Sequence, residues 1–251
     1  MNNSRKYPLA AVKVLYAKAA GRCSFADCRK DVVLKAFGND KTKQIGKIGH
    51  IVAHSEGGPR TNPSYPIDKL DTYENWILLC PTCHDTVDNQ ESKYTVDNLN
   101  KIKTEHEAWV DDQLDKKMSE VSFSELEIAA KALSSGKHSN SSDFQVIPPG
   151  KKIDKNGLTE KSRSYISMGL SRSGEVGRFI ASMSQLDEDY PERLRAGFSQ
   201  KYLELKANYS GDELFFAMLE FAQAGQRDFK QQAAGLAILS HLFHLCEVFE
   251  K

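Results

Sequence analysis

Four of the five cysteines fall in two close pairs, Cys23-x4-Cys28 and Cys80-x2-Cys83. Each pair makes a tight loop, and two such loops brought together by the folding of the chain between them form a tetrahedral zinc site. In a reducing compartment the same thiols are poor disulfide partners. His84 directly follows Cys83 in "NWILLCPTCHDTVD". Adjacent side chains point different ways, so His84 cannot easily share the metal of Cys83. More groups suited to acid–base or metal chemistry lie between the pairs. "GHIVAHSEGGPR" carries His50, His54, Glu56 and Arg60; Asn75 precedes the second pair, and Asp88 sits four residues beyond His84. The fifth cysteine, Cys246, stands alone among leucines and phenylalanines, where packing explains it.

The order His50…Asn75…His84, set within two cysteine pairs, resembles the HNH nucleases, named for a His-Asn-His signature on a ββα-metal fold. The resemblance covers roughly residues 20–110 and rests on the four cysteines, "HIVAHSEGGPR", "ENWILLC" and "CPTCH". It implies a metal-dependent endonuclease that hydrolyses phosphodiester bonds of DNA, although the residues do not exclude RNA. That chemistry needs a deprotonated water and a cation to neutralise charge on the leaving oxygen. A neutral imidazole takes a proton near physiological pH. By its place in the motif, His50 is the expected general base. Asn75 would orient His50, or would serve as a turn or helix cap. His84 becomes the ligand of the catalytic cation, and Asp88 shares its face if the segment is helical. An imidazole with a carboxylate suits Mg²⁺, Mn²⁺ or a similar ion. Cys23, Cys28, Cys80 and Cys83 are left to the structural Zn²⁺.

One departure from the pattern matters. Many relatives carry an Asp or His metal ligand immediately before the base, where this chain has Gly49. Either His84 and Asp88 hold the ion with water and phosphate, or His54 or Glu56 substitutes. His54 has two other readings, a phosphate contact or a neutral core residue. Arg60, on a glycine-bearing loop, suits a phosphate through its planar guanidinium; a surface salt bridge is the rival reading. His106 resembles a recurring position of this nuclease subgroup, yet helix packing suffices for it, as it does for Trp76 and Trp109. The rival to the enzyme is a non-cleaving, zinc-dependent DNA-binding or interaction module.

These residues need elements to position them. Residues 8–20 have helical spacing that ends at Gly21. "QIGKIGHIVAH" alternates like a short strand, and "SEGGPRTNP" is a loop. Helices are expected from Thr82 through Val87, over 95–117 and over "SELEIAAKAL", where Ser124-x-x-Glu127 reads as a capping box. Residues 134–157, rich in Ser, Gly, Pro and Lys, read as a linker or exposed loop. Beyond residue 158 the chain is helical again, with Ser210-x-x-Glu213 as a further cap. The last segment, apolar on most faces after Ala233, belongs at the centre of a bundle or against another chain. His241 and His244 on it read as core or helix-end residues in preference to metal ligands. The fold class expected is α+β: a zinc-stapled ββα-metal nuclease domain over 1–118, a helix and linker over 119–157, and an all-helical regulatory or oligomerisation domain over 158–251.

The whole chain has 251 residues and no formal net charge. The charge is unevenly placed: residues 1–60 carry 12 Lys/Arg against 4 Asp/Glu, and residues 61–118 carry 6 against 12. A basic front suits phosphates, and the acidic groups behind it suit cations. No apolar run of about 18 residues offers a membrane span, and the N-terminus lacks the apolar core of a secretory signal. A cytoplasmic protein without a membrane is expected. The nuclease half is similar to those of bacterial antiphage effectors. The tail "AAGLAILSHLFHLCEVFEK" resembles helical domains of ABC-three-component defence effectors. That resemblance implies an ATPase or other defence-system partner, in a homo-oligomer or a hetero-complex.

Overall fold

Pro8, whose missing N–H costs nothing at a helix start, opens α1 (Leu9–Lys18). Ala20 and Gly21 take left-handed backbone angles (φ 49° and 62°), which stop the helix and turn the chain into the first cysteine loop. The computed structural model describes residues 5–34, 39–133, 149–245 and 248–250. Over these the chain is mixed α/β and mostly helical, with ten α-helices and four short strands. None of the described helices is long and apolar enough to cross a membrane. The chain divides into two compact units, Met1–Asp112 and Gln113–Lys251.

In the first unit, β1 (Val33–Leu34) pairs antiparallel with β2 (Lys43–Gln44). β3 (Lys47–His50) pairs antiparallel with β4 (Trp76–Leu79), in a register that sets His50 opposite Trp76 and Gly49 opposite Ile77. All four β4 residues are buried. A strand buried on both faces reads as a continuous apolar run, as "WILL" does. Helix α2 (Pro81–Asn89) follows β4 and packs on both β3 and β4. Gly46 is required where it stands: a Cβ there would lie 2.7 Å from the Tyr16 hydroxyl and 2.9 Å from Leu78 Cδ1. The long helix α3 (Val96–Met118) starts in this unit and runs past its boundary. Lys18 reaches from α1 to Asp111 of α3 (3.3 Å).

The second unit holds α4 (Phe123–Leu133), α5 (Pro149–Lys155), α6 (Glu160–Leu170), α7 (Ser173–Leu186), α8 (Tyr190–Lys206), α9 (Gly211–Ala222) and α10 (Phe229–His244). α10 is its axis, with every residue from Gln232 to Phe243 buried against α4, α6, α7 and α9. The expectation of a bundle centre is met within one chain. Gly169 lets α6 approach, since a Cβ there would sit 2.2 Å from Ser240 Oγ.

Two local expectations need correction. Residues 149–155, read from sequence as exposed linker, form α5 with Lys152 and Ile153 buried. Lys152 Nζ donates to the carbonyls of Phe243 (2.8 Å) and Val248, satisfying acceptors at the end of α10. Pro149, a breaker inside a helix, is tolerated at its first turn. The remainder of the expected linker, 134–148, and Cys246 lie outside the described residues. The capping box of α4 is Ser122 with Glu125, not Ser124 with Glu127: Ser122 N donates to Glu125 Oε2 (2.9 Å). Burial pushes the Glu125 carboxyl up, but hydrogen bonds from Ser122 and Lys230 outweigh it and hold it at about 2. Ser210 is the N-cap residue of α9 but makes no side-chain capping bond.

Candidate metal centre and active-site cleft

The four sulfurs of Cys23, Cys28, Cys80 and Cys83 all lie within 4.8 Å of one another. Tetrahedral zinc with bonds of about 2.3 Å needs sulfurs about 3.8 Å apart, and Cys28 Sγ stands 3.8 Å from Cys80 Sγ. The donor set therefore fits one ion such as zinc. All four cysteines are free thiols. Backbone bonds shape both loops. Cys23 N donates to Lys30 O and Ser24 N to Leu78 O, each at 2.9 Å, so the first loop is tied to β4. Cys80 caps α2, its sulfur accepting from Cys83 N (3.5 Å). Burial pushes the Cys23 thiol up to about 11 and Cys83 higher still. Cys80 is lowered overall: burial works against its thiolate, but the Cys83 N–H and neighbouring thiols prevail. A divalent cation supplies the charge that lets such thiols ionise together.

The same helix cap positions His84, whose N–H donates to Cys80 O (2.9 Å). His84 Nδ1 lies 3.6 Å from Asp88 Oδ2, one helical turn on, and 3.7 Å from Asp85 Oδ1. His84 and Asp88 line a cleft of about 60 Å³ with His50, His54, Arg60 and Arg5. That volume is room for about two waters. His50 reaches it from the end of β3, across which α2 packs. Gly49 packs against β4 and α2: a Cβ there would stand 3.2 Å from Ile77 Cγ2, 3.4 Å from Leu79 Cδ1 and 3.7 Å from His84 Cδ2. Among the described residues, only the four cysteines form a cluster of three or more metal-ligating side chains.

Asn75 is 2 % exposed and acts on backbone rather than on the His50 ring. Its Oδ1 accepts from Val52 N (2.9 Å), and its Nδ2 donates to Val52 O and Leu70 O (3.0 Å each). The turn leaving His50 is thereby fixed to the segment before β4. The ring itself is held by a residue that sequence reasoning missed. Asp71 Oδ1 lies 2.9 Å from His50 Nε2, and its Oδ2 lies 3.5 Å from His54 Nε2. Trp76 Nε1 also points at His50 Nε2, at 3.1 Å. One ring nitrogen cannot serve both partners. A proton on Nε2 would serve the shorter contact to Asp71 and leave the Trp76 N–H unmatched, and a bare Nε2 would do the reverse. Burial lowers the His50 pKa, and nearby Arg5 and His54 lower it further, against the opposing pull of Asp71. The net effect favours the neutral ring.

Arg60 is a clamp. Its Nε donates to Ile51 O (3.1 Å), Nη1 to Val87 O (2.9 Å), and Nη2 to His50 O (3.3 Å) and Asp88 Oδ1 (2.9 Å). Its side chain is only 5 % exposed, and its ion pair runs to Asp88, which is 38 % exposed. His54 lines both the cleft and an adjoining groove of about 660 Å³, which Glu56, Asn62, Tyr65 and Ile67 also line. Glu56 is not among the residues lining the His84 cleft. His106 is buried, with Nε2 3.2 Å from Ala19 O and its ring stacked on Trp109. Trp76 is fully buried. In the second unit, His241 Nδ1 lies 2.8 Å from Ser173 Oγ. Burial, with a smaller push from His244, lowers its pKa to about 4.

The chain matches no model of a known protein family and no curated protein.

Proposed function

We infer that the chain is a metal-dependent endonuclease of the His-Asn-His type, acting on phosphodiester bonds of DNA. The observation that carries this reading is the shared cleft: His50, at the end of β3, and His84 with Asp88, one turn apart on α2, open onto one small cavity. The thiol cluster at the start of α2 anchors one wall. With a proton on Nε2 facing Asp71, His50 would keep the Nδ1 lone pair to take a proton from water. His84 and Asp88 would hold the catalytic cation, which supplies charge to neutralise the leaving oxygen. Asn75 fixes the backbone that carries the base, and the groove beside His54 offers room for flanking nucleotide.

The test is supercoiled plasmid incubated with the protein, first in EDTA and then with Mg²⁺, Mn²⁺ or Ni²⁺ restored. Cutting is expected only with metal, and His50→Ala is expected to abolish it while gel-shift binding of DNA persists. Binding without cutting under every ion, or a His50→Ala variant that cuts like the wild type, overturns the reading. The former outcome would favour the non-cleaving zinc module.

A further inference from the structure

The lining of the cleft includes Arg5 of the N-terminal segment, whose anchors are specific. Lys6 N donates to Asp71 Oδ2 at 2.6 Å, so the carboxylate that orients His50 also ties down this backbone. The Tyr7 ring packs against Trp76 and His50, with centroids 5.6 and 6.1 Å away. These two contacts place Arg5 in the lining of the cleft with His50, His84 and Asp88.

Two guanidinium groups therefore border the cavity, in different states. Arg60 is spent on three backbone carbonyls and Asp88. Arg5 is exposed and makes no hydrogen bond or ion pair with the described residues. The nearby carboxylates are already engaged, Asp71 by His50 and Lys6, and Asp88 by Arg60. A planar guanidinium free to offer two parallel N–H groups is suited to a phosphodiester's oxygens.

We propose that Arg5 is a substrate-binding residue of the cleft: its guanidinium grips a backbone phosphate of the bound strand, with the Lys6 N–H and the Tyr7 ring holding the segment in position. This rests on the nuclease reading and extends it to a residue outside the His-Asn-His segment. The Lys6 anchor uses main-chain N–H, so most side chains at position 6 leave it intact, whereas proline removes it.

The test measures kcat and KM separately on a short DNA duplex, between 50 and 200 mM salt, for the wild type, Arg5→Ala, Arg5→Lys and Lys6→Pro. Arg5→Ala is expected to raise KM about tenfold and to reduce the salt slope of binding by about one, the loss of one phosphate contact. Arg5→Lys should recover most of the affinity, and Lys6→Pro should behave like Arg5→Ala. Thermal melts are expected to match the wild type for both Arg5 variants. DNA binding measured in a His50→Ala background should show the same loss from Arg5→Ala without any contribution from cutting. If the wild type cuts and Arg5→Ala retains its KM and salt slope, the Arg5 assignment is overturned and the nuclease reading stands. If the wild type cuts no DNA with any ion, both fall together.

Discussion

At the scale of single residues, the cleft depends on two side chains with unlike jobs. Arg60 satisfies three carbonyl groups and Asp88 from a position that is nearly sealed. Hydrogen bonds from charged donors contribute about 1.5–3 kcal/mol, and stranded buried acceptors cost about 1–3 kcal/mol each. Arg60→Ala is therefore expected to destabilise the first unit by about 2–4 kcal/mol, read from urea denaturation by tryptophan fluorescence. Arg60→Lys should restore little, because a single ammonium cannot span the same forked set of acceptors. Asp71 works on orientation instead. Asp71→Asn should lower kcat on DNA by about 10²-fold, beyond any rise in KM from a weakened Lys6 anchor. An unchanged kcat would show that Asp71 serves only that anchor and not the His50 ring. Sequence pointed to Arg60 because a guanidinium on a glycine loop is a familiar phosphate partner, yet it could not show which acceptors the folded loop would bring to it. Asp71 was illegible for a different reason. It sits in an irregular stretch 21 residues from His50, with no periodicity or motif to tie the two together.

Elements carry the next level of control, and their ends matter more than their middles. The cysteine pairs were legible because two short loops impose fixed spacing. β3 was legible from alternation in "QIGKIGH", whereas β4 was not singled out, because "WILL" is buried on both faces and does not alternate. Helix ends were less legible. Ser124 with Glu127 and Ser122 with Glu125 both satisfy the capping pattern, and only the approach of the chain to α4 selects the second. Glu125→Gln should cost about 1 kcal/mol of second-unit stability, whereas Glu127→Gln should cost a few tenths at most, since the ion pair Glu127 makes among the described residues is with Lys131 on the surface. α10 makes a pH prediction of definite sign. His241 titrates near 4 in the folded bundle against about 6.5 when unfolded. Between those values the unfolded chain binds more protons, so stability is full above about pH 6.5 and falls as the pH drops toward 4. The loss approaches about 3 kcal/mol across the window. Denaturation midpoints of the wild type and of His241→Gln at pH 7 and pH 4.5 should show a drop that the variant lacks; equal drops would assign the acid sensitivity to other groups.

At the scale of the whole molecule, the two units are stabilised by different physics. The first has short strands, a modest apolar core and a four-thiol cluster that could hold a metal such as zinc. The second is organised around α10, an apolar helix buried along its length, and its described residues include no cluster of metal-ligating side chains. Metal binding to such a cluster is folding free energy for the unit that contains it. Both tryptophans, Trp76 and Trp109, fall within Met1–Asp112, and the second unit has none. Tryptophan fluorescence therefore reports on the first unit, while far-ultraviolet circular dichroism is dominated by the helices of the second. Removing metal with a strong chelator should release about one zinc per chain and shift the fluorescence-detected melt down by ten degrees or more, roughly, as the loss of several kcal/mol in a domain of this size requires. The dichroism melt should then separate into two steps, with its larger, later step unmoved. Cys80→Ser should reproduce this behaviour without chelator, because Cys80 is both a member of the thiol cluster and the cap that aims His84. If chelation moves both signals together, the units do not fold independently, and the metal stabilises the whole chain rather than the half that contains its ligands.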